Sequence, residues 1–198
     1  MKTLSILLIL FLSPLNDKMP YSAEIIKFQK ELNEHYKDKD DSPLTKKDRK
    51  QFDGHPFFPI DESYRVTAFF ERTAEEEPFK MKTSTERLPE YVQYGIAYFT
   101  LKGKTHTLRL LQNVKFSQQA DYEGELFLPF NDLTNGKQTY GGGRYIDLKI
   151  PEGDQIVIDF NKSYHPYCAY NYIYSCPLPP AENSMEIEVL AGIKMLQM

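Results

Sequence analysis

The sequence predicts a mainly β protein: a single antiparallel β-barrel or β-sandwich of about eight strands, with an amphipathic α-helix on its N-terminal side. Three observations carry that expectation. From residue 64 onward, short runs with two-residue alternation follow one another, each closed by turn residues. The 198-residue chain holds 13 prolines and 10 glycines, which punctuate turns and leave little room for long helices. Its aromatic side chains are 14 Tyr and 13 Phe with no Trp, a set suited to pleated surfaces with wet edges.

Residues 1–18 carry Lys2, then an apolar run over residues 4–12, then Pro14. That order reads as a signal peptide, because a bilayer span takes ~20 apolar residues. Pro14 and Asn16 leave the cleavage position open. The mature protein is therefore expected to be periplasmic or secreted, with no integral membrane span.

Residues 22–60 read as a helical region and connector. In SAEIIKFQKELNEHYK (22–37), Ile25, Phe28, Leu32 and Tyr36 share one narrow helical stripe. Ser22 is the expected N-cap, and Glu24 suits the first turn. The charged, proline-bearing connector contains a short helix expected over 46–52, with Thr45 and Asp48 spaced as a cap.

Residues 61–198 form the β-rich domain. Strands are expected over 64–71, 79–85, 90–101, 105–113, 125–130, 143–150, 155–160 and 184–190. Lys102 and Gly103 mark a two-residue hairpin, and residues 151–154 (PEGD) mark another turn. In the last strand Met185, Ile187 and Val189 alternate against Glu186 and Glu188.

The net charge is −4 and no basic stripe exists, which argues against a nucleic-acid partner. Cys168 and Cys176 are the only cysteines, and an even number in an exported chain favours a disulfide. Two cysteines alone make no zinc site, and no other metal-ligand spacing occurs, so neither a metal nor a cofactor is expected. A thiolate activated by His165 would be abolished by that disulfide.

The stretches LFLPFNDLTNGKQTYGGGRYIDL and VIDFNKSYHPYCAYNYIYSCPLPPAEN, with SPLTKKDRKQFDGHPFFPIDESYRVTAFFE before them, resemble a bacterial and archaeal family of unknown function, numbered sixteen eighty-four. The resemblance spans nearly all of the mature chain. It implies an exported or membrane-associated β-rich domain and no reaction. Where the family commonly has asparagine before the proline of NPYCAYN, this chain has His165, so the resemblance gives His165 no family-wide catalytic role.

The sharpest local feature is Gly141, Gly142 and Gly143 running into Arg144. No Gly-Lys-Ser/Thr follows and the next element is a strand, so this is neither a P-loop nor a dinucleotide fingerprint. Close backbone packing and a clearing for a ligand both explain the glycines. Arg144 alternates onto the face of Ile146, Leu148 and Ile150. A buried guanidinium needs an anionic or carbonyl partner. That partner is either internal, with Asp159 or the backbone of the proline-rich segment as candidates, or a ligand carboxylate, phosphate or sulfate. Asp132 reads as a turn former beside Asn135 and Gly136.

The expected function is binding of a small anionic or polar molecule by Tyr140, Arg144, Asn161, Tyr167, Tyr170 and Asn171. One alternative is a hydrolase or lyase with Asp159 or His165 as proton carrier. The other is a structural envelope-interaction protein in which all of these residues are scaffolding. The oligomeric state is left open.

Overall fold

The computed structural model describes residues 19–196. The expected signal peptide lies outside the described residues. Helix α1 spans Tyr21–Lys37 and α2 spans Lys46–Gln51. The α2 cap is as expected: the Thr45 hydroxyl accepts the Asp48 N–H. The α1 cap is not Ser22. Pro20 takes that position, and its carbonyl receives the N–H groups of Ala23 and Glu24. A proline fixed in extended geometry sets the helix entry without a side-chain cap. Ile25 and Tyr36 of the predicted stripe are buried, so this face packs onto the protein.

The strands are β1 (Arg65–Arg72), β2 (Phe79–Lys80), β3 (Glu90–Leu101), β4 (Lys104–Asn113), β5 (Glu125–Phe130), β6 (Arg144–Lys149) and β7 (Gln155–Asp159). Among the described residues these seven make one antiparallel sheet, ordered β6-β5-β4-β3-β1-β7, with β2 paired to β3. The sheet curls into a half-barrel, in line with the expected barrel-like class. Two expected strands shrink. Within 79–85 only Phe79–Lys80 forms a strand, and Thr83 makes an isolated antiparallel bridge to Pro177. The segment 184–190 keeps its alternation, with Met185 and Val189 buried and Glu186 and Glu188 exposed. It stays outside the sheet, lying beside residues 131–133 through three backbone bonds: Asn131 N–H to Asn183, Met185 N–H to Asn131, and Leu133 N–H to Ile187. Its period reports one face on the core, which an extended segment satisfies without a ladder.

The inner face of the sheet carries the main core, where Leu110, Leu128, Phe130, Ile158 and Phe160 are wholly inaccessible. Burying each such side chain contributes ~1.5–3 kcal/mol. The outer face is also covered. Leu111 pairs with Phe127 across β4 and β5, and Phe127 pairs with Asp147 across β5 and β6. These three residues form one row on the outer face, because side chains alternate along each strand. Leu111 and Phe127 join Met81 and Tyr91 in a second, smaller cluster there. Among the described residues no helix is long and apolar enough to cross a membrane.

Candidate functional site

Arg144 is fully buried, and its partner is Asp132 rather than Asp159. One terminal nitrogen donates to the Asp132 carboxylate and to the Val189 carbonyl at 2.9 Å. The other donates to the Ala191 carbonyl at 2.5 Å and to Ser163 Oγ at 3.3 Å. Burial works against the guanidinium charge, and Asp132 counters it. Asp132 is also the expected turn former, accepting the Thr134 N–H at 2.6 Å. All of these partners are internal, and the side chain is closed off from solvent. The pairing of Phe130 with Arg144 puts residue 132 just past the end of β5, beside the arginine.

Packing explains Gly143. Gly143 has φ +89°, and a Cβ there would sit 2.8 Å from the Phe130 carbonyl oxygen and 2.6 Å from Pro179 Cγ. Only glycine accepts both the left-handed backbone and that approach. No ligand clearing forms above it.

The expected proton carriers also make internal hydrogen bonds. Asp159 caps the turn after β7, accepting the Asn161 N–H at 3.0 Å and the Tyr21 hydroxyl at 3.1 Å. His165 is buried and accepts the Tyr140 N–H on Nε2 at 3.1 Å. Its proton therefore sits on Nδ1, 3.3 Å from the Tyr170 hydroxyl. Burial presses its pKa down to about 3, so the ring is neutral with both nitrogens occupied.

Of the other sequence-predicted binders, Tyr140 and Tyr170 meet at His165 and the rest lie apart. Asn161 is buried and holds the backbone of Asp61. Tyr170 packs with Tyr36, Leu44 and Phe52. Asn171 donates to the Pro43 carbonyl at 3.3 Å, and the Tyr140 hydroxyl lies 3.9 Å from Cys168 Sγ. Cys168 and Cys176 are not bonded to each other in this structure. They touch nonetheless: the Cys168 N–H donates to Cys176 Sγ at 3.1 Å. A hydrogen bond from the Cys176 thiol lowers the pKa of the Cys168 thiol.

The candidate site lies on the outer face, where of the predicted binders only Tyr167 reaches it. A cavity of about 530 Å³ opens there beside the row Leu111, Phe127 and Asp147. Strands β3, β5 and β6 supply Tyr91, Phe127, Tyr145 and Asp147. Turns after β4 add Phe116 and Tyr122, and the chain after β7 folds back to add Tyr164, Tyr167 and Tyr174. That return is fixed by a two-bond bridge, Tyr145 N–H to Tyr164 at 2.9 Å and Tyr164 N–H to Tyr145 at 3.0 Å. The Tyr145 hydroxyl donates to the Pro177 carbonyl, tying down the far end. Phe127 meets Tyr145 edge-on at 4.7 Å, and Tyr145 meets Tyr164 edge-on at 5.9 Å.

Asp147 lines this cavity, and the Tyr164 hydroxyl donates to it at 2.7 Å. Asp147 is solvent-exposed at the cavity, and the protein packed around its carboxyl raises its pKa. The Tyr164 hydroxyl is pushed well up by burial first and by Asp147 second, so it keeps its proton and remains the donor. Glu125 lines the cavity and is ion-paired to Lys149.

Residues 50–194 match the family described as a protein of unknown function (DUF1684). Among solved structures, the solution NMR structure of an uncharacterized protein from Haloarcula marismortui is similar to this chain, with 34% identity and a TM-score of 0.70. The similarity covers 90% of this chain and 96% of that one. No curated protein matches.

Proposed function

The chain belongs to the DUF1684 family, and we propose that it binds a small organic molecule in the outer-face aromatic cavity. The observation that carries this reading is the cavity itself: about 530 Å³, walled by tyrosine and phenylalanine, with the polar Asp147–Tyr164 pair placed among the rings. Ligand sites combine that size, apolar walls and a few fixed polar groups. The ligand class differs from the anion expected through Arg144, since the cavity lining contains no Lys, Arg or His to receive one. Asp159 and His165 do not line it, which favours binding over hydrolase or lyase chemistry.

Export belongs to the same proposal, supported by Lys2 and the apolar run that follows it. N-terminal sequencing of the protein recovered from its native host tests this. A mature start beyond residue 12 supports export, and an intact N-terminus on cytoplasmic protein opposes it.

Ser117→Phe tests the binding reading, because Ser117 lines the cavity and its hydroxyl serves only a local turn to Val114. A phenyl ring there fills the space. Ligands from a small-molecule panel should raise the wild-type melting temperature by mass action, ~2.7 kcal/mol at a hundredfold excess over Kd. The rise should vanish in Ser117→Phe. An equal rise in both proteins would place the ligand elsewhere.

A further inference from the structure

We infer that the cavity is built for a small organic cation, a quaternary ammonium or protonated amine on an apolar body, with Asp147 as its counter-charge. This deepens the reading above and rests on it.

Charge is the first argument. Three carboxylates line the cavity, Asp121, Glu125 and Asp147, and no basic side chain does. Glu125 is neutralised by Lys149. Arg87, close by, is held by Ser175 through Nε to Oγ at 3.0 Å and Nη2 to the carbonyl at 2.6 Å. Asp147 has no ion-pair partner among the described residues, and its polar contact is the Tyr164 hydroxyl at 2.7 Å. The carboxylate is exposed at the cavity and is therefore open to a cationic partner.

The rings are the second argument. Aromatic faces attract cations, and the attraction grows as water is excluded. Phe127, Tyr145 and Tyr164 stand edge to face around Asp147, whose strand neighbours include Tyr145 and Phe127. A metal ion is poorly matched to this chemistry. It asks for several oxygen ligands at one point, and among the described residues no group of three His, Cys, Asp or Glu side chains is placed to hold one. An organic cation needs one counter-charge and a wall of rings, which is what the cavity offers.

The test uses three phenyl probes that differ in charge: phenyltrimethylammonium, its neutral isostere tert-butylbenzene, and benzenesulfonate. Each is titrated into isotope-labelled full-length protein while the NMR signals of Phe127, Tyr145 and Tyr164 are followed. The cation should bind at least ~10-fold tighter than the isostere, and benzenesulfonate should not saturate. Asp147→Asn keeps an oxygen acceptor for Tyr164 and removes the charge. It should cut the preference to below ~3-fold by weakening the cation alone. If that variant does not fold, salt decides in the wild type: cation affinity falls with ionic strength while isostere affinity holds. An isostere that binds as tightly as the cation, or a tighter sulfonate, overturns the cation while leaving the aromatic cavity as a binding site. No shift with any probe overturns both.

Discussion

Asp132→Asn isolates the buried ion pair of Arg144, whose partner the sequence left open between Asp159, the proline-rich backbone and a ligand. Both side chains are wholly inaccessible, so neither charge is relieved by water. Asparagine keeps the oxygen that accepts the Thr134 N–H at 2.6 Å, so the turn survives. What disappears is the charge opposite the guanidinium. Removing one member of a buried pair costs ~3–5 kcal/mol. Arg144 keeps the carbonyls of Val189 and Ala191, which favours the lower end. A loss of ~3 kcal/mol is a ~150-fold fall in the folding equilibrium constant and a melting shift of ~6–12 °C for a chain of this size. Urea unfolding followed by circular dichroism reads it as a lower midpoint at constant m-value. The double variant Asp132→Asn/Arg144→Met removes the orphaned charge and should recover part of the loss. Stability of Asp132→Asn within ~0.5 kcal/mol of wild type would refute the reasoning.

Three further outcomes follow from the same geometry. Burial presses the folded-state pKa of His165 to about 3 and of His55 to about 4, against an ordinary 6.5, so the unfolded chain binds more protons between those values. Stability should fall as pH drops from 6.5 toward 4, by up to ~1.4 kcal/mol per pH unit for each histidine; His165→Gln should roughly halve the slope, and a flat urea-midpoint profile would contradict it. Gly143→Ala forces a side chain onto a φ of +89° against the Phe130 carbonyl and should cost ~2–4 kcal/mol in thermal melts. Gly141→Ala, whose added Cβ meets nothing closer than 3.8 Å, should stay within ~0.5 kcal/mol. Mild oxidation should join Cys168 to Cys176, seen as a mass loss of two hydrogens, and raise stability by ~2.6 kcal/mol in the chain-entropy model; thiols that resist oxidation would show that the local backbone holds them out of bonding geometry.

Alternation along β6 shows how far the sequence was legible. It correctly placed Arg144, Ile146 and Leu148 on the core face. The same rule put Tyr145 and Asp147 on the opposite face, which reads as solvent because antiparallel sheets often leave one face wet. Tyr145 on that face is covered where the chain after β7 folds back and pins Tyr164 to it, a contact no local pattern encodes. The high tyrosine content was the available signal for a second aromatic surface. Asp132 and Asp159 both sit where strands end, and only the β5–β6 register decides which one meets Arg144. His165 looked reactive in sequence because burial, which removes its proton affinity, is a tertiary property.

We place the proposed ligand site in the outer-face cavity, not on the Arg144 side of the sheet. The most direct test is a chemical-shift map of the full chain with phenyltrimethylammonium and, separately, with a small-molecule panel. Perturbations should cluster on Tyr91, Phe127, Tyr145, Asp147 and Tyr164. A cluster on Tyr140, Arg144, Asn161, Tyr170 and Asn171 would contradict the account.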